Sequence, residues 1–198
     1  MIAMTEEVKV PLEVSARHLH LTQEHVDILF GEAGYQLTNK RELSVKGFFV
    51  AEERVEVIGK KSSASFGILT PLRSQTQVEM AITDAVKLGI EAPVRMSGDL
   101  AGSGACTLRG PHGEVEIAEG VIIAQRHIHM NDQMAKDLGI ADHEEVSVKV
   151  GGARGAILEK VPVRTDPAFS ITMHIDTDEG NALSVNNKNL SYGVLIKK

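Results

Sequence analysis

Two pairs of histidines in this sequence have a spacing that suits metal binding. His18 and His20 are separated by one leucine, and His127 and His129 are separated by one isoleucine. Side chains two residues apart in a strand lie on the same face, so each pair can reach one ion. A single pair of this kind is more often a hydrogen-bonded surface pair. Two pairs in matching contexts instead favour metal binding.

Each histidine pair has a third candidate ligand further along the chain. Glu79 and His174 each stand between two apolar residues. In a strand, this pattern points them away from the core that their neighbours enter. Catalytic zinc usually has three protein ligands and one open position. The simplest prediction is two sites, one made of His18, His20 and Glu79 and the other of His127, His129 and His174.

Arg73 is the candidate for binding an anionic substrate. A guanidinium can hold phosphate with two parallel hydrogen bonds, which a lysine cannot do. The alternative is an ordinary surface salt bridge. The position of Arg73, six residues before Glu79, favours a functional role. Its counterpart is Arg164, and the two arginines that adjoin the histidine pairs are further candidates: Arg17 and Arg126.

The elements that position these residues occur twice. Residues 15–22 and 124–131 share a pattern that ends in Thr22 or Asn131, and residues 71–74 and 162–165 share another. Thr and Asn are good helix N-caps, so a short helix is predicted after each histidine pair. A further helical turn is predicted over residues 84–89, joining the two copies. Short strands and 18 glycines favour small β-barrels over a sandwich or a doubly wound sheet.

Composition excludes several classes of function. The 198 residues include 21 basic and 27 acidic side chains, a net charge of −6, which argues against nucleic acid as a partner. No apolar stretch is long enough to cross a bilayer, and residues 1–9 lack the pattern of a signal peptide. The single cysteine, Cys106, is expected to be buried, and it fits a reducing cytoplasm.

The chain resembles the phosphate propanoyltransferase family of propanediol utilisation, the PduL-type phosphotransacylases. The resemblance covers nearly the whole chain. It rests on residues 15–20, 71–79, 92–98, 126–130 and 173–182.

The resemblance implies a mainly β (α+β) fold of two small β-barrels with a two-zinc site between them. Residues 17–124, with a small excursion at 31–51, would form one barrel, and residues 7–16 plus 125–198 the other. The implied ligand sets are the two predicted above, and Arg73 matches the phosphate-binding arginine. Three residues match positions that line the coenzyme A site: Ser15, Lys40 and Asn181.

The implied activity is reversible transfer of an acetyl or propanoyl group from acyl-CoA to inorganic phosphate, giving acyl phosphate and coenzyme A. The resemblance also implies a homodimer. About ten residues precede the first predicted strand, too few for the helical extension of microcompartment members, so a cytoplasmic enzyme is expected. Two alternatives remain open: a binuclear zinc hydrolase (a thioesterase or phosphoesterase), and a non-catalytic metal-binding protein.

Overall fold

The computed structural model describes residues 7–43, 47–186, 188 and 191–196. The chain divides into two compact units, one formed by Met1–Ser15 with Arg126–Lys198 and the other by Ala16–Gln125. Four helices occur in the described residues: α1 (Gln23–Phe30), α2 (Ile82–Leu88), α3 (Asp132–Leu138) and α4 (Thr177–Leu183). The strands there are β1 (Lys9–Ser15), β2 (His18–His20), β3 (Asn39–Glu42), β4 (Phe49–Ile58), β5 (Ser63–Leu69), β6 (Gln77–Met80), β7 (Val94–Arg95), β8 (Gly104–Arg109), β9 (Glu114–Ala124), β10 (His127–Met130), β11 (Glu145–Val150), β12 (Ala156–Thr165), β13 (Thr172–Asp176) and β14 (Ser191–Ile196).

The unit Ala16–Gln125 is built on a closed ring of six strands. The strands pair in the order β4, β5, β2, β6, β9 and β8, and β8 returns to β4. Two of these pairs are parallel, β2 with β5 and β6 with β9. β3 attaches to β4 and β7 attaches to β9, outside the ring.

The other unit repeats this ring pair for pair. Its closed barrel has the order β1, β13, β10, β12, β11 and β14, with β1–β13 and β10–β12 as the parallel pairs. In this correspondence β1 matches β9, and β14 matches β8. Each of these matched strands, β1 and β9, leads directly into the histidine strand of the other ring. The predicted mainly β fold with two barrels from a duplicated unit is therefore confirmed.

The helices begin and end where local chemistry requires. The side chains of Thr22 and Asn131 accept hydrogen bonds from the first turns of α1 and α3, as predicted. Gly31 and Gly139 end these helices in the left-handed conformation, which glycine adopts without steric cost. Of the helices in the described residues, none is long and apolar enough to cross a bilayer.

The prediction of a helical turn over residues 84–89 is wrong in two respects, as α2 shows. α2 begins at Ile82 instead of residue 84, so Asp84 lies in its first turn, and the N-cap residue Ala81 has no side chain that could cap the helix. The helix also does not join the two copies. It lies within the unit Ala16–Gln125, since the chain continues into β8 and β9. Its place directly after β6 makes it the counterpart of α4, which follows β13.

Alternation along the strands places one apolar side chain between the two histidines of each pair. Leu19 and Ile128 are fully buried, each in the apolar core of its own unit. Full burial of such a side chain stabilises the fold by about 1.5–3 kcal/mol. The histidines on either side must then point to the opposite face of the strand. Core packing thus fixes the direction of the candidate ligands.

Candidate metal centres

The first set of candidate ligands comes together where β2 and β6 pair. These strands are antiparallel, and His18 lies directly opposite Glu79. The potential ligand atoms of His18, His20 and Glu79 all lie within 4.8 Å of one another. Nε2 of His18 is 3.6 Å from Oε2 of Glu79. All three side chains are buried, with at most 8% of each residue exposed.

The hydrogen bonding of His18 leaves one ring nitrogen available as a ligand. Its Nδ1 lies 2.9 Å from the carbonyl oxygen of Ala16. A carbonyl oxygen only accepts, so Nδ1 carries a proton, and Nε2 is the ring nitrogen that faces Glu79. A histidine that binds a metal through one ring nitrogen usually donates a hydrogen bond from the other, often to a backbone carbonyl.

One ring nitrogen of His20 makes no hydrogen bond of standard geometry to any described residue. This nitrogen, Nδ1, is buried. An unpaired buried polar atom costs free energy and is uncommon in native proteins, so this nitrogen marks His20 as a candidate functional residue. The burial of His20 lowers its pKa to about 3, and the nearby Arg73 and His18 contribute to this shift. The imidazole is therefore neutral near pH 7, the form that binds metal.

Glu79 is ionised in this setting. Burial acts to raise its pKa, but His18, His20 and Arg73 outweigh burial, and the pKa lies below its usual value. Gln77 donates a hydrogen bond to the same carboxylate. Two imidazoles with one carboxylate form a ligand set that zinc accepts.

A polar network connects Arg73 to this set. Nη2 of Arg73 is 3.0 Å from Nε2 of His20, and Nη1 donates to Oγ of Ser97 at 2.9 Å. Ser97 also accepts from Nε2 of Gln77 at 2.9 Å, and the Oε1 of Gln77 accepts from the backbone of Gly98 at 2.8 Å. The guanidinium is thus held against the candidate ligands.

Sequence reasoning missed Gln77 and Ser97. Alternation predicted that one face of β6 points away from the core, and Glu79 and Gln77 do share that face. All four residues of β6 are nevertheless buried. Two signals could have found Gln77: it stands two residues before Glu79, and it lies inside residues 71–79, one of the segments that carry the resemblance. Ser97 likewise lies inside the segment 92–98.

The second set forms where β10 and β13 pair. His127 lies opposite His174, and the potential ligand atoms of both residues and of His129 lie within 4.8 Å of one another. The Nε2 atoms of His127 and His129 are only 3.2 Å apart. At this distance either one nitrogen carries a proton and donates it to the other, or a cation lies between the two lone pairs. Three imidazoles around an open position are also a catalytic zinc set.

His129 is held in its ligand form. Burial lowers its pKa to about 3, with smaller effects from His174, His127 and Arg164. Its ring stacks on that of Phe169, with centroids 4.0 Å apart. Arg164, the counterpart of Arg73, pairs in register with His129 across β10 and β12.

The arginines that precede the histidine pairs have structural partners. Arg17 donates to Asp84 in α2 at 2.7 Å, and Arg126 donates to Glu179 in α4 at 2.6 Å. Asp84 and Glu179 are each the third residue of their helix. Each ion pair thus connects the helix that follows the third candidate ligand to the segment that carries the histidine pair of the same set.

The three residues expected to line the coenzyme A site lie in both units. Ser15 ends β1, where it pairs in register with Asp176, and Asn181 lies exposed in α4. Lys40 is exposed on β3, with its Nζ 3.8 Å from Oε2 of Glu52. Their role at a coenzyme site stays a prediction.

Cys106 is half-buried rather than buried, because it lies on β8 at the edge of the core. Burial raises the pKa of its thiol to about 12. The thiol is therefore protonated near neutral pH, which makes it a poor nucleophile.

Residues 11–186 match the family model described as phosphate propanoyltransferase. The chain is 48% identical over 178 residues to a phosphate propanoyltransferase of Lachnoclostridium phytofermentans, which covers 89% of this chain and 83% of that protein. It is 45% identical over 193 residues to one of Listeria monocytogenes, covering 97% and 89%. It is 41% identical over 191 residues to one of Thermotoga maritima, covering 96% and 90%. This chain therefore belongs to the phosphate propanoyltransferase family of acyltransferases.

Proposed function

We propose that this chain transfers an acetyl or propanoyl group reversibly between coenzyme A and inorganic phosphate, using two zinc ions. One ion would be held by His18, His20 and Glu79, and the other by the three histidines of the second set. The observation that carries this proposal is the pair of three-residue ligand sets at matching strand positions. Their chemistry fits the activity named in the relatives, since catalytic zinc uses three protein ligands and an open position.

A zinc ion in these sets would supply Lewis acidity, which stabilises a thiolate sulfur and the negative charge that develops on a thioester carbonyl oxygen. The first set includes the Glu79 carboxylate and suits the coenzyme sulfur. The second set contains only neutral ligands, so it retains more positive charge for phosphate or the carbonyl.

Arg73 would bind and orient the phosphate. Its planar guanidinium matches two oxygens of a phosphate, and Ser97 holds it beside His20. A phosphate oxygen then attacks the thioester carbonyl carbon, and the C–S bond breaks as coenzyme A leaves with the electron pair as a thiolate. Holding the two reactants together in one site would remove much of the entropic barrier to their reaction.

No side chain has to carry the acyl group in this scheme. The protonated Cys106 thiol is consistent with direct transfer to phosphate. An acyl adduct trapped on a cysteine or serine of the protein during turnover would contradict direct transfer.

The test is an assay of thiol release from acetyl-, propanoyl- and butanoyl-CoA, with and without phosphate, together with metal content on the same sample. We expect two zinc ions per chain and thiol release that requires phosphate and matches acyl phosphate formed. Thiol release that proceeds equally without phosphate would instead identify a binuclear hydrolase. Full activity after exhaustive chelation would exclude both ions from catalysis.

The homodimer, the cytoplasmic location, the domain boundaries and the role in propanediol degradation are also part of this proposal. The family resemblance supports the homodimer, the domain boundaries and the role in propanediol degradation, and the single cysteine supports the cytoplasmic location. Light scattering on the purified chain tests the homodimer directly, since a monomeric mass would contradict it.

A further inference from the structure

We infer that Glu13 is a positioning residue for His174, accepting the hydrogen bond of its Nδ1–H so that Nε2 faces the metal ion. The inference rests on the proposed function, because it assumes that the second set holds an ion. Glu13 contributes no atom to that set, which comprises three residues among those described. It would therefore act through His174 and not as a ligand.

Strand pairing brings Glu13 to His174. β1 and β13 are parallel neighbours, and these two residues are directly in register. Oε2 of Glu13 is 4.0 Å from Nδ1 of His174. A small side-chain rotation or one bridging water closes a gap of this size. The Glu13 side chain is 43% exposed and has room for that rotation.

The duplication supports a specific role for this carboxylate. Glu13 stands five residues before His18, and Ile122 stands five residues before His127, so the two occupy equivalent places in the two copies. Ile122 in turn is in register with Glu79, the third ligand of the first set. A carboxylate thus lies beside the ligand that is an imidazole, and a fully buried isoleucine lies beside the ligand that is a carboxylate.

The chemistry of the two candidate ligands explains why their neighbours differ, a carboxylate beside His174 and an isoleucine beside Glu79. An imidazole that binds metal through one nitrogen has an N–H on the other, and a carboxylate acceptor fixes its orientation and raises its basicity. A carboxylate ligand has no such proton, and a second carboxylate beside it would be repelled. The exchange also leaves one carboxylate with each set, as a ligand in the first and next to a ligand in the second.

The experiment measures zinc affinity by competition with a chromophoric chelator, using the full chain with both ions. In Glu13→Ala we expect one zinc ion to bind roughly 10- to 100-fold more weakly, which is the range typical of losing the hydrogen-bond partner of a metal ligand. The affinity for the other ion should be unchanged. Glu13→Asp should restore most of the affinity, because it keeps the charged acceptor. Glu13→Gln, which keeps an acceptor oxygen without the charge, should fall between the two.

A matched control and a spectroscopic readout separate positioning from a structural effect. Glu116 is an exposed glutamate on β9, the counterpart of β1, and Glu116→Ala should leave both affinities unchanged. In nitrogen-15 NMR of the zinc-loaded protein, the Nδ1–H resonance of His174 should be visible and should shift in Glu13→Ala.

Two results would overturn the inference alone: two ions bound with unchanged affinity in Glu13→Ala, or an NMR signal showing the metal on Nδ1 of His174. An equal loss of affinity in Glu116→Ala would also count against it. If the unmutated chain bound no zinc at all, the proposed metal function itself would fail and the inference with it.

Discussion

Arg73 contacts a candidate metal ligand directly, since its Nη2 is 3.0 Å from Nε2 of His20. A fixed positive charge at this position serves two purposes. It helps to keep His20 neutral and Glu79 ionised, which is the protonation state that a cation requires. It also places the guanidinium that we propose binds phosphate next to the first set of candidate ligands.

We predict that Arg73→Ala raises the KM for phosphate roughly 10- to 100-fold. This corresponds to loss of one charge-assisted hydrogen-bonding group, worth about 1.5–3 kcal/mol. Arg73→Lys should recover only part of the loss, because an ammonium cannot form the paired contact. Initial rates at varied phosphate and fixed acyl-CoA measure the effect. Arg109→Ala, an exposed arginine on β8, is the control, and an unchanged phosphate dependence in Arg73→Ala would contradict the assignment.

We also predict that the metal-free protein loses stability as the pH falls from about 6.5 towards 3. The pKa values of His20 and His129 are lowered from 6.5 to about 3 in the folded protein. In that window the unfolded chain binds more protons than the folded chain, so acid favours unfolding. The contribution of these two neutral histidines to the free energy of unfolding is fully present above pH 6.5 and is lost as the pH falls towards 3. Urea unfolding of chelator-treated protein at several pH values measures it, and a flat free energy of unfolding across the window would contradict the lowered pKa values.

At the scale of elements, the same construction follows the third candidate ligand of each set. A strand carries the ligand, a short helix follows, and an arginine next to the histidine pair bonds to the third residue of that helix. The two helices differ in their start. α4 has a capping box formed by Asp176 and Glu179, whereas the N-cap residue of α2, Ala81, makes no side-chain hydrogen bond to the helix that begins at Ile82.

We predict that Asp176→Ala destabilises the protein by about 1 kcal/mol, the usual cost of losing an N-cap. Because Asp176 lies two residues after His174, we also expect Asp176→Ala to weaken zinc binding, by less than Glu13→Ala does. Asp132→Ala is the matched control, because Asp132 lies in the first turn of α3 but Asn131 caps that helix. Its cost should stay below about 0.5 kcal/mol. Equal free energies of unfolding for the two variants would show that the capping box does not stabilise α4.

At the scale of the whole molecule, the important feature is where each ring obtains its last strand. All six strands of the ring in Ala16–Gln125 come from that one segment. The other ring takes β10 to β14 from the C-terminal part of the chain and β1 from the N-terminal part. Without β1, the edges of β13 and β14 have no partner, which leaves their backbone hydrogen bonds unmade.

We therefore predict that a fragment of residues 16–125 unfolds cooperatively, whereas residues 126–198 alone do not fold. Joining residues 7–15 after residue 198 through a short linker should restore folding. β14 and β1 are antiparallel neighbours, with Lys9 opposite Val194, so the linker would form a hairpin like the one between β8 and β9. Circular dichroism during thermal unfolding measures this. Cooperative unfolding of residues 126–198 without the added strand would contradict the role given to β1.

Much of the fold and of the candidate site could be predicted because the signals are local. The His-x-His spacing and the apolar neighbours of Glu79 and His174 specify a strand face over a few residues, and Thr22 and Asn131 mark helix starts. The internal repeat then predicted that both ligand sets assemble in the same way. That these residues bind zinc stays a prediction.

The sequence by itself therefore determined the candidate ligands, their grouping into two sets and the duplicated β architecture, since each depends on short-range periodicity that the chain displays twice. Only the tertiary structure decided the order and register in which the strands pair, that Glu79 is buried, and that Gln77, Ser97 and Glu13 lie beside the candidate ligands. The physical reason is that strand pairing joins segments far apart in the chain. No local pattern records which distant strand becomes the neighbour.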